Sequence, residues 1–329
     1  MFDGDFDIPK YFTLGEFRFT NGEVLEDVKV EYTSVGNPIL DDEGNITNAV
    51  IYCHGSSGNY GSIRRIEEIS GKNETFDTDK FFFISISALG SPRSLSPSIS
   101  NLKGSFPHYT IEDMVNFNRQ FLKEKFNITH IKGLIGNSMG GFIVLTWATY
   151  YPDDMDFVIS MLSSYKVGGH NYALSRITED IIKTCPDYNN GDYIESEELD
   201  RTFKLAVEVM FNYGFSRKYY RQLTNDEIDE SIKYMVEEET LDDINDIFYR
   251  NEATLHYDIE DKLKDIKSKV LIIAINQDQY FPPELDAIPM NKMIKDSKLV
   301  IYDSINGHIG SRELVKVEDK IGQFLKEFY

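Results

Sequence analysis

Basic residues are scarce in this chain: 34 lysines and arginines stand against 55 aspartates and glutamates, a formal net charge of −21. A surplus of that size repels phosphate backbones and anionic lipid surfaces, which argues against nucleic acid and membrane as partners. It also disfavours a polyanionic acyl-CoA unless a local basic patch compensates, and Arg64, Arg65, Arg93 and Lys103 are the candidates for one. Cysteine is rarer still: Cys53 and Cys185 form neither a metal-binding nor a redox spacing. A reduced, cytoplasmic chain is therefore expected. The six histidines never pair four residues apart, so no zinc site is expected. Long hydrophobic runs are missing as well, because the longest candidate, residues 81–89, falls far short of a bilayer's thickness. The start, Met1-Phe2-Asp3-Gly4-Asp5, carries acid where a secretion signal would carry base.

What is present suits a folded globular protein. A 41% hydrophobic share with 27% charged residues over 329 positions supports one large α/β domain with an insertion, or two domains. The most informative stretch is Leu134-Ile135-Gly136-Asn137-Ser138-Met139-Gly140-Gly141-Phe142, a G-x-S-x-G pattern. Before it, residues 130–135 are short and partly β-branched, as a buried strand is; after it, residues 142–150 run apolar to Pro152, as a helix does. A serine between the two sits on a tight strand-to-helix turn, and the glycines remove the side chains that would clash there. Its hydroxyl is pushed out of the sheet, beside helix N–H groups that have no intrahelical acceptor. Ser138 is the expected nucleophile.

Taken in order, residues 11–36 alternate around Asn21-Gly22 as an antiparallel hairpin does. Ala49-Val50-Ile51-Tyr52-Cys53 reads as a central strand, ending in the turn His54-Gly55-Ser56-Ser57-Gly58. Such a turn can aim backbone N–H groups at an oxyanion. Residues 80–87 form another strand, and the Ser-, Pro- and Gly-rich loop 90–107 that follows is long enough to line a site. Thr110-Ile111-Glu112-Asp113 has the spacing of a capping box and opens a helix to about residue 126. Residues 157–162 are the next strand.

Between residues 166 and 256 strand-like runs vanish, and helical patterns such as 203–211 take over, apolar around most of their circumference. This region reads as an inserted helical cap, its apolar faces turned toward the site or a partner subunit. The sheet resumes at residues 269–275 and again at 298–302, and a final helix spans 313–328. The expected division is therefore 1–165 for the first part of the core, 166–256 for the cap and 257–329 for the second part.

Two further residues stand just beyond strand ends, the edge where mostly parallel sheets place their sites: Asp278 and His308. Asp303 competes as the acid but lies at the edge of the last strand. An imidazole with an ordinary pKa of about 6.5 can take the serine proton and return it. His308 is the expected base, oriented by Asp278, with the backbone N–H of Met139 and an N–H near Ser56 as oxyanion donors.

The chain resembles the homoserine O-acetyltransferase family of α/β-hydrolase-fold enzymes from about residue 11 onward. The resemblance rests on Phe106-Pro107, Thr110-Ile111-Glu112-Asp113-Met114-Val115, Gly136-Asn137-Ser138-Met139-Gly140-Gly141, Trp147-Ala148, Tyr151-Pro152 and Asp278-Gln279-Tyr280-Phe281-Pro282-Pro283. It implies a mostly parallel central sheet flanked by helices, the order nucleophile, acid, base for Ser138, Asp278 and His308, oxyanion donors on the backbones of Ser56 and Met139, and a homodimer through the cap, to which Val207-Glu208-Val209-Met210-Phe211 adds an apolar run. Members that acylate homoserine place an aspartate directly after the catalytic histidine, and here Ile309 stands there. They also place an arginine after a Thr-Tyr pair in the cap, where this chain reads Asn212-Tyr213-Gly214. Gly55, Tyr213, Gly214 and Ile309 thus become the candidate substrate-binding positions, without charged anchors for a zwitterion.

The expectation is a serine hydrolase acting on a small ester or related acyl substrate, with no cofactor. The alternative is an O-acyltransferase of the homoserine type, with acyl-CoA as co-substrate. A non-catalytic binding protein on the same fold is the remote third reading.

Overall fold

The alternating residues near the start pair as an antiparallel hairpin, β1 (Lys10–Arg18) against β2 (Val24–Val35), around the turn at Gly22. A computed structural model describes residues 8–240 and 242–329. The sheet continues with β3 (Ala49–Cys53), β4 (Phe82–Ile86), β5 (Ile131–Asn137), β6 (Met155–Met161), β7 (Lys269–Ile275) and β8 (Ser297–Tyr302). Their spatial order is β1-β2-β4-β3-β5-β6-β7-β8, antiparallel at the β1 to β4 edge and parallel beyond it. Every residue of β3 and β4 is buried, the signature of strands covered on both faces.

Two helices pack on one face. The first, α1 (Ile111–Phe126), opens with the anticipated capping box: the Thr110 hydroxyl accepts from Asp113 N–H, and the Asp113 carboxylate reaches back to Thr110. The second, α2 (Met139–Tyr150), is buried from Met139 to Thr149, so packing rather than amphipathicity sets its place. Burying a Phe, Leu or Ile side chain contributes about 1.5–3 kcal/mol, and α2 alone buries Phe142, Ile143 and Leu145.

The chain leaves the sheet after β6 and returns before β7 through a paired crossing. Val167 N–H donates to Tyr257 O at 2.8 Å and Ile259 N–H to Tyr165 O at 3.0 Å, around the bridge between Lys166 and Asp258. Between these points lie α3 (Gly169–Thr184), α4 (Glu197–Phe211), α5 (Asn225–Glu239) and α6 (Ile244–Leu255).

Two expectations need correction. The strand anticipated at 80–87 is confined to Phe82–Ile86, and the long loop after it folds a short helix at Pro97–Ser100 under a Ser96 cap. The single helix anticipated at 313–328 is broken: Leu314–Val317 forms a tighter turn and only Glu318–Leu325 (α7) is α-helical, because Val317 takes φ −129° at the junction while burying its side chain. Of the two neighbours expected for the apolar run in α4, the site or a partner subunit, the first is met: Val207 is in the core, and Met210 and Phe211 line the cavity in front of Ser138.

Candidate active site

The bend between β5 and α2 holds Ser138 at φ 56°, ψ −120°, a conformation that costs a non-glycine residue about 1–3 kcal/mol. Its neighbours make the bend obligatory. A Cβ on Gly136 would meet Gly140 O at 2.1 Å, and one on Gly140 would meet Cys53 O at 2.0 Å. The Ser138 N–H donates to Met161 O at 2.9 Å, and its carbonyl accepts from Gly141 N–H at 2.8 Å, so both ends of the strained residue are tied.

The turn after β7 and the turn after β8 bring the other two members to this serine. His308 Nε2 lies 3.0 Å from Ser138 Oγ, and His308 Nδ1 lies 2.7 Å from Asp278 Oδ2. A carboxylate acceptor at Nδ1 assigns the ring proton to that nitrogen, which leaves Nε2 to accept from the hydroxyl. Asp278 Oδ1 accepts the N–H groups of Tyr280 and Phe281 at 2.9 and 3.1 Å, so the acid is fixed at both oxygens and its side chain has no exposure. The rings of Tyr280 and Phe281 flank the imidazole at 5.0 and 5.6 Å between centroids. Asp303, the competing acid, is exposed and occupied by the amides of Asn276 and Gln277.

Across from the serine stands the turn after β3. A Cβ on Gly55 would lie 3.4 Å from Ser138 Cβ, so the two backbones approach closely. Among the described residues, the N–H groups of Ser56 and Met139 donate to no protein acceptor. Free backbone N–H groups near a serine hydroxyl are of the kind that can hold a developing oxyanion. Beneath the turn, His54 is wholly buried: Nε2 accepts Ala88 N–H at 2.9 Å and Nδ1 donates to Gly55 O at 2.7 Å. Burial pushes this imidazole down to about 4, so it stays neutral and ties the turn to Ala88, two residues past β4. Its part was missed in the sequence, where it reads as one more polar residue at a strand end.

A cavity of about 370 Å³ opens in front of Ser138, lined by Val167, Leu174, Met210, Phe211 and Ile247 from the segment between β6 and β7. Of the four candidate substrate-binding positions, Gly55 and Ile309 line it. Gly214 sits behind Ile309, with room for a Cβ only 3.5 Å from Ile309 Cδ1, and its carbonyl accepts Ile309 N–H at 3.4 Å. Tyr213 does not reach the cavity: α4 ends at Phe211, the chain turns through Asn212, and the Tyr213 ring packs edge-on against His170 at 4.8 Å. Of the four candidate patch residues, only Arg65 lines the cavity, together with two arginines that the sequence did not single out, Arg250 and Arg312.

Nearby, Asp286 accepts from Ser164 Oγ at 2.5 Å, and burial raises its carboxyl to about 6, with the charge of Asp278 adding in the same direction. Among the described residues no cluster of three or more His, Cys, Asp or Glu could hold a metal, and no helix is long and apolar enough to cross a membrane.

Residues 48–309 match the family described as the alpha/beta hydrolase fold. The chain is 45% identical over 315 residues to a probable acyltransferase of Methanothermobacter thermautotrophicus, covering 96% of this chain and 97% of that protein. It is 28% identical over 314 residues to a homoserine O-acetyltransferase of Methanosalsum zhilinae, covering 83% of this chain and 63% of that protein. In three dimensions it superposes on an acetylester hydrolase from Corynebacterium glutamicum with a TM-score of 0.85 at 20% identity, covering 99% of this chain and 100% of that one. The chain therefore belongs to the α/β hydrolase fold family.

Proposed function

We propose that this protein is a serine-dependent acyl-transfer enzyme that hydrolyses a small ester or related acyl substrate through an acyl-Ser138 intermediate. The observation that carries the reading is the continuous chain from Ser138 Oγ through His308 to Asp278, with the N–H groups of Ser56 and Met139 on adjoining turns bound to no protein acceptor among the described residues. His308 Nε2 takes the hydroxyl proton as Ser138 Oγ attacks the carbonyl carbon, and Asp278 stabilises the imidazolium that results. The tetrahedral oxyanion is held by the N–H groups of Met139 and Ser56; removing one such donor typically costs about 3 kcal/mol of barrier. Collapse expels the alcohol, which takes the proton from His308. Water then enters and gives His308 a proton as it attacks the acyl carbon; the bond from that carbon to Ser138 Oγ breaks, Oγ takes the proton back from His308, and the acid leaves.

Water or an uncharged alcohol as acceptor is supported by Ile309 in the cavity wall with Gly214 behind it, where the homoserine-acylating relatives named above would need charged anchors. Each missing charge-assisted hydrogen bond is worth roughly 1.5–3 kcal/mol. The second reading, an O-acyltransferase with acyl-CoA as donor and a ping-pong route, is favoured by the probable acyltransferase that shares 45% of its residues. The reading assigns residues 166–256 as a cap, needs no resident cofactor, and includes cytoplasmic residence on the strength of the free thiols Cys53 and Cys185. It also includes a homodimer through the cap, where Leu205 and Tyr234 are exposed.

The test is turnover of p-nitrophenyl acetate and labelling by a fluorophosphonate probe, each with Ser138→Ala as control. Ester turnover lost in Ser138→Ala supports the hydrolase. Acyl release that rises with homoserine, together with acetyl-CoA turnover, would move the assignment to the transferase. Failure of the probe to label Ser138 would overturn both and leave a non-catalytic binding protein.

A further inference from the structure

The described wall of the cavity contains three arginines, Arg65, Arg250 and Arg312, and neither lysine nor any carboxylate. In a chain where acids outnumber bases 55 to 34, that inversion marks the cavity out. The three differ in what they do. Arg250, only 3% exposed, meets Asp242 Oδ2 at 2.9 Å and Gly90 O at 2.9 Å, so its charge is already matched and it joins α6 to the loop after β4.

Arg65 and Arg312 sit elsewhere on the wall. Arg65 rises from the helical segment Tyr60–Ile69, which follows the Gly55-Ser56 turn, and its Nη1 donates to Ser311 Oγ at 2.7 Å. Ser311 and Arg312 belong to the same short segment as His308, Gly307–Arg312. The Arg65 guanidinium is thereby held against the segment that bears the base, one residue from Arg312. Both charges act on the phenol of Tyr52, which is buried in β3. Arg312 is exposed and, among the described residues, forms no ion pair, in a protein with carboxylates in excess.

Resting on the acyl-transfer reading of Ser138, we propose that Arg65 and Arg312 form an anion subsite of the cavity, so that the natural substrate carries a carboxylate or phosphate beyond its scissile acyl bond. Guanidinium groups present paired N–H donors that match either oxyanion. The general field of a −21 chain opposes entry of an anion, and a local pair of cations at the cavity is the arrangement that offsets it. The anion has two chemical sources, a carboxylate on the acyl chain or the phosphates of a nucleotide thioester carrier.

Two matched substrate pairs separate them. For the first source, kcat/KM is measured for p-nitrophenyl hydrogen adipate against p-nitrophenyl hexanoate; for the second, for acetyl-CoA against the neutral thioester S-acetyl-N-acetylcysteamine. The wild type is expected to favour the charged member of one pair. Arg312→Gln should lower that charged-to-neutral ratio about tenfold, Arg312→Lys should keep it within about threefold, and added salt should compress it in the wild type. Arg65→Gln should act in the same direction. Charged-to-neutral ratios that stay within twofold in Arg312→Gln for both pairs would overturn the proposal. Should no ester or thioester turn over at all, the acyl-transfer reading fails, and the subsite is read separately by equilibrium binding of CoA and adipate to Ser138→Ala. Tenfold weaker binding of either in the Ser138→Ala/Arg312→Gln double variant sustains the subsite, and equal binding rejects it.

Discussion

His54 offers the sharpest quantitative check, because a single buried ring joins stability, pH response and the oxyanion turn. Replacing it by alanine leaves Ala88 N–H and Gly55 C=O without partners in the interior. Each orphaned group costs about 1–3 kcal/mol and the vacated ring volume adds a cavity penalty, so His54→Ala should lose on the order of 3–6 kcal/mol at pH 7. Acid supplies an independent signature. The native imidazole is held down to about 4 by burial, against an ordinary value of 6.5. Below about pH 6.5 the unfolded chain takes up a proton here while the native chain does not, so acid favours unfolding through this group until about pH 4. Between pH 7 and pH 4.5 that contribution falls by roughly 2–3 kcal/mol, and the variant lacks it. Urea unfolding of wild type and His54→Ala at the two pH values should therefore show their stability difference shrinking by that amount on acidification. The variant should also hydrolyse p-nitrophenyl acetate at least tenfold more slowly, because Gly55 and Ser56 lose their anchor. A difference below 1 kcal/mol at pH 7, or one that ignores pH, would refute the reasoning.

Asp278→Asn keeps the shape of the acid but leaves the wrong tautomer at His308, and kcat should fall about 10³–10⁴-fold with the circular dichroism spectrum unchanged. Gly140→Ala drives a Cβ to 2.0 Å from Cys53 O, so the elbow and the neighbouring turn must part; a shift of about 1 Å there should lower kcat at least 10²-fold in the ester assay, with Ser138, His308 and Asp278 all present. Asp246 is raised to about 6, chiefly by burial, while Ser98 N–H and Oγ donate to it at 3.0 and 2.6 Å. Its contribution to stability is complete below the unfolded value near 3.8 and is lost as pH rises through about 6, so Asp246→Asn should gain roughly 1–3 kcal/mol on the wild type between pH 4 and pH 7 in thermal or urea unfolding.

The features legible in the chain were those set by neighbours in sequence. The glycines around Ser138, the Thr110 capping box and the continuous apolar strands 49–53 and 269–275 each declare themselves within a few residues, and the structure places them where that local chemistry directs. Position after a strand end brought Asp278 to the edge where parallel strands deliver their C-terminal turns, but Asp303 directly follows β8 on the same edge, and only the tertiary contacts put Asp278 beside His308 while Asp303 meets Asn276 and Gln277. Local pattern was less informative in the cap. Helical periodicity identifies a helical run such as 203–211 but not the neighbour its apolar face will meet, and two residues of offset decide that Phe211 lines the cavity while Tyr213 turns to His170.

The sequence by itself determined the class of chemistry, since a nucleophile, a base, an acid and a strained bend are each written in short stretches whose sterics admit little else. Only the tertiary structure decided what surrounds that chemistry: the burial of His54, the residues between β6 and β7 that line the cavity at Ser138, and the meeting of Arg65 with the segment bearing His308 and Arg312, through a hydrogen bond to Ser311 that spans 246 positions of sequence. Such meetings follow from the docking of whole elements through many weak contacts, and no single stretch of chain carries the information for them.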